Sequence, residues 1–392
     1  MMSHLIEHMS LCPTPAFVLD EGQIVISGTR VAAFAARCGC MFLYSVKACS
    51  LSSVLRLLSP HVRGFSVSSP NEAELSRSVG GPGALVQYVS PHIPFHQSRE
   101  IGELCDRVTF NSLSQLQRLG ACFDGRLDVG LRINPMLSFR DDERYDPCRV
   151  GSKLGVPAQL FAQLLQEDHV CLARVSGIHF HSNCDSADLR ELIATIRHLE
   201  NVIGDGIARF RWLNVGGGYL LNDVQGLARL ADEIVRLSDR YGLQVVIEPG
   251  AAIVRTAGYF VCSVEDIVEG GEFPIAILDL TVNHWPEVFE YQFEPDVEGH
   301  VDDGAYTYVL AGCSCLAGDL FGSYSFNEPL KVGSRVIFEN AGAYSIVKAH
   351  MFNGINLPSI YAVTETGELV LIKQFAYEDF LARCGVDTNA AV

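Results

Sequence analysis

The hydrophobic and polar positions between about residue 40 and residue 255 follow two alternating patterns. Short, almost continuous apolar runs end in polar residues, glycine or proline, and stretches with one apolar face at helical spacing lie between them. Leu189, Leu192 and Ile196 share one such helical face. Apolar strands separated by helices are typical of a parallel sheet that is covered by helices. The apolar runs are MFLYSV, GFSVSS, ALVQYVS, RVTFNS, DVGLRINP, SGIHFHSN, FRWLNVGGG and VVIEPGAAI.

These strand and helix units predict an α/β fold with a (β/α)8 barrel, whose usual length of about 250 residues matches this segment. A doubly wound sheet is the alternative, and it would need fewer strands. After residue 258 the strand-like runs have no helices between them, which predicts a second, mostly β domain. The segment AFVLD (Ala16 to Asp20) is a candidate strand of that domain. The predicted division is 1–30 as an N-terminal segment joining the β domain, 31–262 as the barrel and 263–392 as the C-terminal β domain.

Composition excludes several classes of function. The chain is 48% hydrophobic and 19% charged, as in a globular protein with a large core, and its formal charge of -17 opposes binding to nucleic acid or to anionic membranes. We find neither a signal peptide nor an apolar run that could span a membrane, so we expect a cytoplasmic protein. The 13 cysteines include no CxxC pair, which argues against a disulfide framework and a metal site.

Unusual residues follow the predicted strands, where a barrel of this kind places its chemistry. Lys47 ends the first strand, His179 and His181 the sixth, a run of three glycines at 216–218 the seventh, and Glu248 the eighth. Each has an ordinary explanation: a lysine just past a strand end or paired with a carboxylate, a structural histidine, a tight turn and a solvated loop carboxylate. These ordinary explanations are less convincing for four such features that lie together at one face of one barrel.

Together the four features indicate a site for pyridoxal phosphate. A lysine can form a Schiff base with the aldehyde, and glycines let backbone N–H groups approach the phosphate. A flat imidazole can stack on the ring, and a carboxylate can hold the proton on the pyridine nitrogen. A protonated ring is a strong electron sink, which decarboxylation at the substrate Cα requires.

With these residues in place, the sequence resembles the fold-type III pyridoxal phosphate decarboxylases, the group that contains ornithine and diaminopimelate decarboxylases. Within that group it is similar to the carboxynorspermidine (carboxyspermidine) decarboxylases. The motifs that carry the resemblance are FNSLSQ, GLRINP, YDPCRVGSKLG, GIHFHSNC, LNVGGG, EPGAA, SCLAGDLFGSYSFNEPLKVG and AYSIVKAHMFNGINLPSI, from about residue 110 to residue 360. The resemblance implies an alanine racemase-like TIM barrel with a β domain, in a homodimer with shared active sites.

The resemblance also implies a role for each matching residue. Lys47 would bind the cofactor covalently, His181 would stack on its ring, and Glu248 would bind the pyridine nitrogen. Cys315 of SCLAGD would return a proton to Cα after CO2 leaves, from the neighbouring protomer. The residues implied in holding the phosphate are Gly217, Gly218, the loop at Gly250, and Tyr344.

The substrate is the part that the resemblance specifies least. Asp319 would contact the substrate's distal amine or pair with Lys153 across the dimer, and Glu287 is a second candidate cation partner, although either can be surface charge. In this branch the segment DLTVNHWPEVFE shapes the substrate pocket, which adds His284, but the order Asn-His-Trp departs from the family pattern.

Three alternative functions remain open at this point. The first is decarboxylation of another amino acid, such as diaminopimelate, ornithine or a natural-product intermediate. The second is a regulatory homologue that does not bind pyridoxal phosphate, which the presence of Lys47, Glu248 and Cys315 disfavours. The third is a racemase, in which an arginine usually stands in the place of Glu248.

Overall fold

The computed structural model describes residues 2–385, which form two compact units. One unit runs from Val25 to Ile253, and the other combines the described residues up to Ile24 with those from Val254 onward. The sequence placed these boundaries at 30/31 and 262/263. They differ because a helix follows the first strand directly, at Glu21, and because the strand that returns to the second unit begins at Gly258.

The strands, numbered along the chain, are β1 (Ala16–Asp20), β2 (Met41–Ser45), β3 (Gly64–Val67), β4 (Leu85–Val89), β5 (Arg107–Phe110), β6 (Asp128–Asn134), β7 (Val156–Pro157), β8 (Gly177–His179), β9 (Trp212–Asn214), β10 (Gln244–Ile247), β11 (Gly258–Val268), β12 (Ile275–Leu278), β13 (Tyr306–Ala311), β14 (Leu320–Phe326), β15 (Arg335–Phe338), β16 (Ser359–Val363) and β17 (Leu369–Lys373).

The α-helices are α1 (Met2–Leu11), α2 (Glu21–Cys38), α3 (Ser52–Leu58), α4 (Pro70–Gly80), α5 (Ser98–Leu104), α6 (Leu113–Leu119), α7 (Ala158–Gln166), α8 (Leu189–Ile203), α9 (Val224–Tyr241), α10 (Ala251–Val254), α11 (Pro286–Tyr291) and α12 (Tyr377–Arg383). None of the helices within residues 2–385 has the length and apolar character that crossing a bilayer requires.

The unit from Val25 to Ile253 is a closed parallel barrel. Its sheet has nine strands in the order β5-β4-β3-β2-β10-β9-β8-β6-β7, and β5 also pairs with β6, so that all of these strands except the two-residue β7 form a ring. Every pairing in this sheet is parallel. The predicted (β/α)8 barrel is confirmed, and its ring strands coincide with the apolar runs of the sequence.

The side chain of Trp212 fills the barrel at the amino-terminal ends of the ring strands. A Cβ added at Gly177 would lie 2.0 Å from the Trp212 ring, and one added at Gly130 would lie 2.3 Å from it. The Arg107 guanidinium carbon lies 5.0 Å from the centre of the Trp212 ring. Glycine on two adjacent strands therefore makes room for the tryptophan at this end of the barrel.

The amphipathic stretches of the sequence form the outer helices. In α8 the buried residues include Leu189, Leu192 and Ile196, the face that the helical spacing predicted. Asp188 caps this helix, because its carboxylate accepts a hydrogen bond from the Arg190 N–H. Asp223 caps α9 in the same way.

The second unit is built on an eight-stranded sheet in which AFVLD forms β1. Strand β1 pairs antiparallel with β11 and parallel with β16. Five strand-like runs of the sequence coincide with β11, β12, β13, β15 and β17, namely YFVCSVEDIVE, IAILDLTV, YTYVLAG, SRVIFENAG and ELVLIKQF. Strands β14 and β16 were not predicted. Segment 320–326, LFGSYSF, mixes small and polar residues with aromatic ones, and it gains its strand geometry from pairing with β13.

Candidate active site

The barrel brings Lys47, His181 and Glu248 together because each follows the carboxyl end of a parallel ring strand. Lys47 lies just after β2, His181 after β8, and Glu248 after β10. Parallel strands in a barrel end at the same face, so side chains that follow them converge. All three line one cavity of about 540 Å³ within the barrel unit.

Lys47 lies just beyond the end of its strand. Residues Val46–Ala48 form a single 3-10 turn after β2. Val46 and Ala48 are 0% and 1% exposed, whereas the Lys47 side chain is exposed to the cavity. The turn therefore anchors the lysine on both sides and presents its amine to the cavity.

Glu248 is a buried carboxylate that stays ionised. Burial alone would raise its pKa, but His179 and the amide of Asn214 outweigh this effect and lower the pKa below its ordinary value. The Asn214 Nδ2 donates to Glu248 Oε1 at 2.7 Å, and the His179 Nε2 lies 3.6 Å from Oε2. A fixed negative charge at this position can hold a proton on a ring nitrogen.

His181 is held as a neutral imidazole. Burial is the main cause that lowers its pKa well below the ordinary value, and the nearby charges of Lys47 and Arg132 lower the pKa further. The Gly217 N–H donates to His181 Nδ1 at 3.2 Å, which assigns the ring proton to Nε2. The ring is therefore fixed and uncharged, which suits stacking on a flat ligand.

The glycine run has a packing role that the sequence did not reveal. A Cβ at Gly217 would lie 2.0 Å from the carbonyl oxygen of Glu248, and one at Gly218 would lie 2.0 Å from the carbonyl oxygen of Asn183. The Gly217 N–H donates to His181 in this arrangement. The phosphate role of Gly217, Gly218 and Gly250 stays a prediction.

Arg132 and His179 are cavity residues to which the sequence gave no role. Arg132 is 9% exposed, and burial lowers its pKa to about 10, so it remains charged at neutral pH. The sequence did contain a signal for Arg132, because a charged residue inside the apolar strand DVGLRIN is as unusual as Lys47. His179 is the last residue of β8, and it lines the same cavity as His181.

The residues that line the cavity fit pyridoxal phosphate. Its volume lies within the range of about 300–1,000 Å³ that is usual for ligand sites. Lys47 offers an amine, His181 a neutral ring and Glu248 a carboxylate. The His179 Nδ1 is buried without a hydrogen-bond partner within residues 2–385, while its Nε2 faces Glu248 at 3.6 Å. No cluster of three or more potential metal ligands occurs in residues 2–385.

Five predicted site residues belong to the second unit, and Asp319 is one of them. It is 3% exposed, and its carboxylate accepts hydrogen bonds from the Val282 N–H at 2.8 Å, the Thr281 Oγ1 at 2.8 Å and the Ser314 N–H at 2.9 Å. The Ser314 hydroxyl also donates to it. This network ties the loop after β13 to the turn after β12, and the contact of Asp319 with a substrate amine or with Lys153 stays a prediction.

The same unit holds Cys315 and Tyr344 in exposed or half-buried positions. The Cys315 side chain is exposed, and its N–H donates to Asn353 Oδ1 at 2.8 Å. Tyr344 has a φ of 55°, a left-handed conformation that is unusual for an aromatic residue and often marks a functional site.

The remaining predicted substrate residues are engaged within the second unit. Glu287 lies 3.5 Å from the Lys348 ammonium, to which Glu290 also bonds. His284 is 0% exposed, and burial is the main cause that lowers its pKa to about 4. His284 is therefore a buried, neutral imidazole, and its contact with substrate stays a prediction.

Comparisons with known proteins decide the family. Residues 29–255 match the family model described as pyridoxal-dependent decarboxylase, pyridoxal binding domain. The chain belongs to the pyridoxal-dependent decarboxylase family. It is 30% identical to a carboxynorspermidine/carboxyspermidine decarboxylase of Campylobacter jejuni, an alignment that covers 94% of this chain and 98% of the relative.

Two further members of the family are similar over most of their length. A carboxyaminopropylagmatine decarboxylase of Synechocystis is 33% identical, with 96% of this chain and 97% of the relative covered. The crystal structure of C. jejuni carboxynorspermidine decarboxylase complexed with norspermidine superposes with a TM-score of 0.86 at 29% identity, covering 95% and 100% of the two chains. This pyridoxal-dependent decarboxylase therefore shares fold and sequence with enzymes whose names describe carboxylated polyamines.

Proposed function

We propose that this decarboxylase converts carboxynorspermidine or carboxyspermidine to the corresponding polyamine and CO2. The similarity to the C. jejuni enzyme over 94% of the chain carries this proposal. The norspermidine complex of the structural relative supports the same substrate class. A second candidate, carboxyaminopropylagmatine, is favoured by the 33% identity to the Synechocystis enzyme. All three compounds are α-amino acids with further cationic groups along the chain.

Each cavity residue has a definite part in the proposed reaction. Bound pyridoxal phosphate supplies the electron sink for the electron pair that is left when the Cα–carboxylate bond breaks. The Lys47 amine would hold the cofactor through its aldehyde carbon, and the neutral His181 ring would stack on the cofactor ring. The Glu248 carboxylate would accept a hydrogen bond from the ring nitrogen and keep its proton in place.

Residues of the second unit complete the proposal. We assign proton donation to the substrate Cα to the Cys315 thiol and phosphate binding to Tyr344, with Gly218 and Gly250. The enzyme is proposed to be a homodimer in which Cys315 of the partner subunit serves each barrel. We also propose a reducing, cytoplasmic compartment, since all 13 cysteines are free.

A substrate panel tests the proposed function. Purified enzyme loaded with pyridoxal phosphate is incubated separately with carboxynorspermidine, carboxyspermidine, carboxyaminopropylagmatine, diaminopimelate, ornithine and lysine, and loss of CO2 is followed by mass spectrometry. We expect turnover of one or more of the first three compounds. Turnover of diaminopimelate, ornithine or lysine alone would overturn the substrate proposal. A protein that does not bind the cofactor would support a regulatory homologue.

A further inference from the structure

A substrate with extra ammonium groups needs a carboxylate that is free to bind one of them. The two carboxylates predicted for this task are engaged within the second unit. Glu287 is paired with Lys348, and the Asp319 carboxylate accepts hydrogen bonds from its own unit. The cation-binding group is therefore to be sought elsewhere, and the barrel cavity contains a candidate.

Asp146 is one of two acidic residues that line the barrel cavity, and the other is Glu248. It is 5% exposed and lies in the loop between β6 and β7. Its Oδ1 accepts a hydrogen bond from the Cys148 N–H at 2.8 Å, which forms an Asx-turn around Pro147. No other donor to its carboxylate is found among the described residues, so Oδ2 is available to a ligand.

Two of the cations on the same loop, Arg144 and Arg149, lie beside carboxylates other than Asp146. Arg144 makes a two-pronged pair with Asp142, with a shortest distance of 2.7 Å. The Arg149 Nε lies 3.9 Å from Glu143. Both guanidiniums thus pair with acids other than Asp146, although both line the cavity with it.

A buried carboxylate with one hydrogen bond is costly unless another group completes its solvation. An ammonium group of the substrate would do so, since it carries three donors and a positive charge. Glu248 is already committed to Asn214 and His179, on the pyridine-nitrogen side of the proposed cofactor site. Asp146 is thus the cavity carboxylate whose second oxygen has no protein donor.

We propose that Asp146 binds a side-chain ammonium of the substrate through Oδ2 and so selects α-amino acids that carry additional positive charge. This inference rests on the proposed function and deepens it, because it names the residue that recognises the cationic tail. Asp146 is a specificity residue: it acts on binding and lies outside the bond-breaking step.

The test compares two substitutions that separate charge from turn geometry. Asp146→Asn keeps an oxygen that can accept the Cys148 N–H but removes the negative charge, whereas Asp146→Ala removes both. We expect Asp146→Asn to raise KM for the polyamine substrate by on the order of 10-fold or more, as for other charge-assisted hydrogen bonds, with a much smaller effect on kcat. Asp141→Asn is the matched control, because Asp141 is an exposed acid on the same loop that does not line the cavity.

A binding measurement gives a readout that does not depend on turnover. Calorimetric titration of the holoenzyme with norspermidine should show weaker binding for Asp146→Asn, and a smaller dependence of affinity on salt, than for the wild type and Asp141→Asn. Cofactor content, measured by absorbance, should be equal in all variants.

The outcomes distinguish this inference from the proposed function. Unchanged KM and unchanged norspermidine affinity in Asp146→Asn, with an active wild type, would reject Asp146 and leave the proposed function intact. Weakened binding in Asp146→Ala alone would assign the effect to the turn and also overturn the charge role. A wild type that neither turns over a carboxylated polyamine nor binds norspermidine would reject both.

Discussion

At the scale of single residues, the environment of Glu248 decides what the site can do. The folded-state pKa of this carboxyl lies below its ordinary value, despite burial, because of His179 and Asn214. A carboxyl with a lowered pKa contributes stability at pH values above its ordinary pKa, and that contribution is lost as the pH falls through the folded-state pKa. Glu248 is therefore expected to stay charged throughout neutral and mildly acidic conditions.

Replacement of this charge gives a direct prediction. Glu248→Gln preserves the oxygen that accepts the Asn214 amide but removes the negative charge. We expect kcat to fall by on the order of a hundredfold, as when other preorganised electrostatic groups are removed from active sites. Steady-state kinetics check this, with Glu74→Gln, an exposed residue of α4, as the control. A kcat equal to that of the wild type would remove Glu248 from the mechanism.

Candidate site residues could be predicted from the sequence where a side chain departed from the local hydrophobic pattern. Lys47 stands out in an apolar run, and the glycines and Glu248 follow apolar strands. The sequence could not show that the Gly217 N–H is used by His181, since this depends on how two loops approach each other. Asp146 could not be predicted from the sequence for a similar reason. It is one of several acidic residues in one loop, and its burial, which the sequence does not show, distinguishes it from the others.

At the scale of elements, the loop after β13 and the turn after β12 behave as one piece. Asp319 joins them through Ser314 on one side and through Thr281 and Val282 on the other. Ser314 precedes Cys315, the proposed proton donor. We therefore propose that Asp319 positions the loop that carries this cysteine.

Asp319→Asn should loosen this loop. The variant has the same shape, but its amide nitrogen cannot accept the hydrogen bonds that the carboxylate receives. We expect the free energy of unfolding to fall by about 1–3 kcal/mol, the usual range for buried polar groups left unsatisfied. Urea unfolding measures the change, and hydrogen exchange should quicken at residues 313–319. Asp303→Asn, at an exposed site of the same unit, is the control. Equal exchange rates in Asp319→Asn and the wild type would contradict the positioning role.

At the scale of the whole molecule, the barrel was predictable because its ring strands are buried on both faces and so read as continuous apolar runs. The second unit was less predictable. Strands β14 and β16 gain their geometry from neighbours that are distant in sequence, and a single sequence does not record such pairings. The unit boundary at Ile24 lies inside α2, where no change of composition marks it.

We propose that this decarboxylase binds pyridoxal phosphate through Lys47 in the barrel cavity. The chain contains five lysines, Lys47, Lys153, Lys331, Lys348 and Lys373, and two of them, Lys47 and Lys153, line the cavity. Reduction of the holoenzyme with borohydride, followed by digestion and mass spectrometry, identifies the lysine that carries the cofactor. We expect the pyridoxyl group on the peptide that contains Lys47, and none in Lys47→Ala. A cofactor label on Lys153 or on any other lysine would contradict the account.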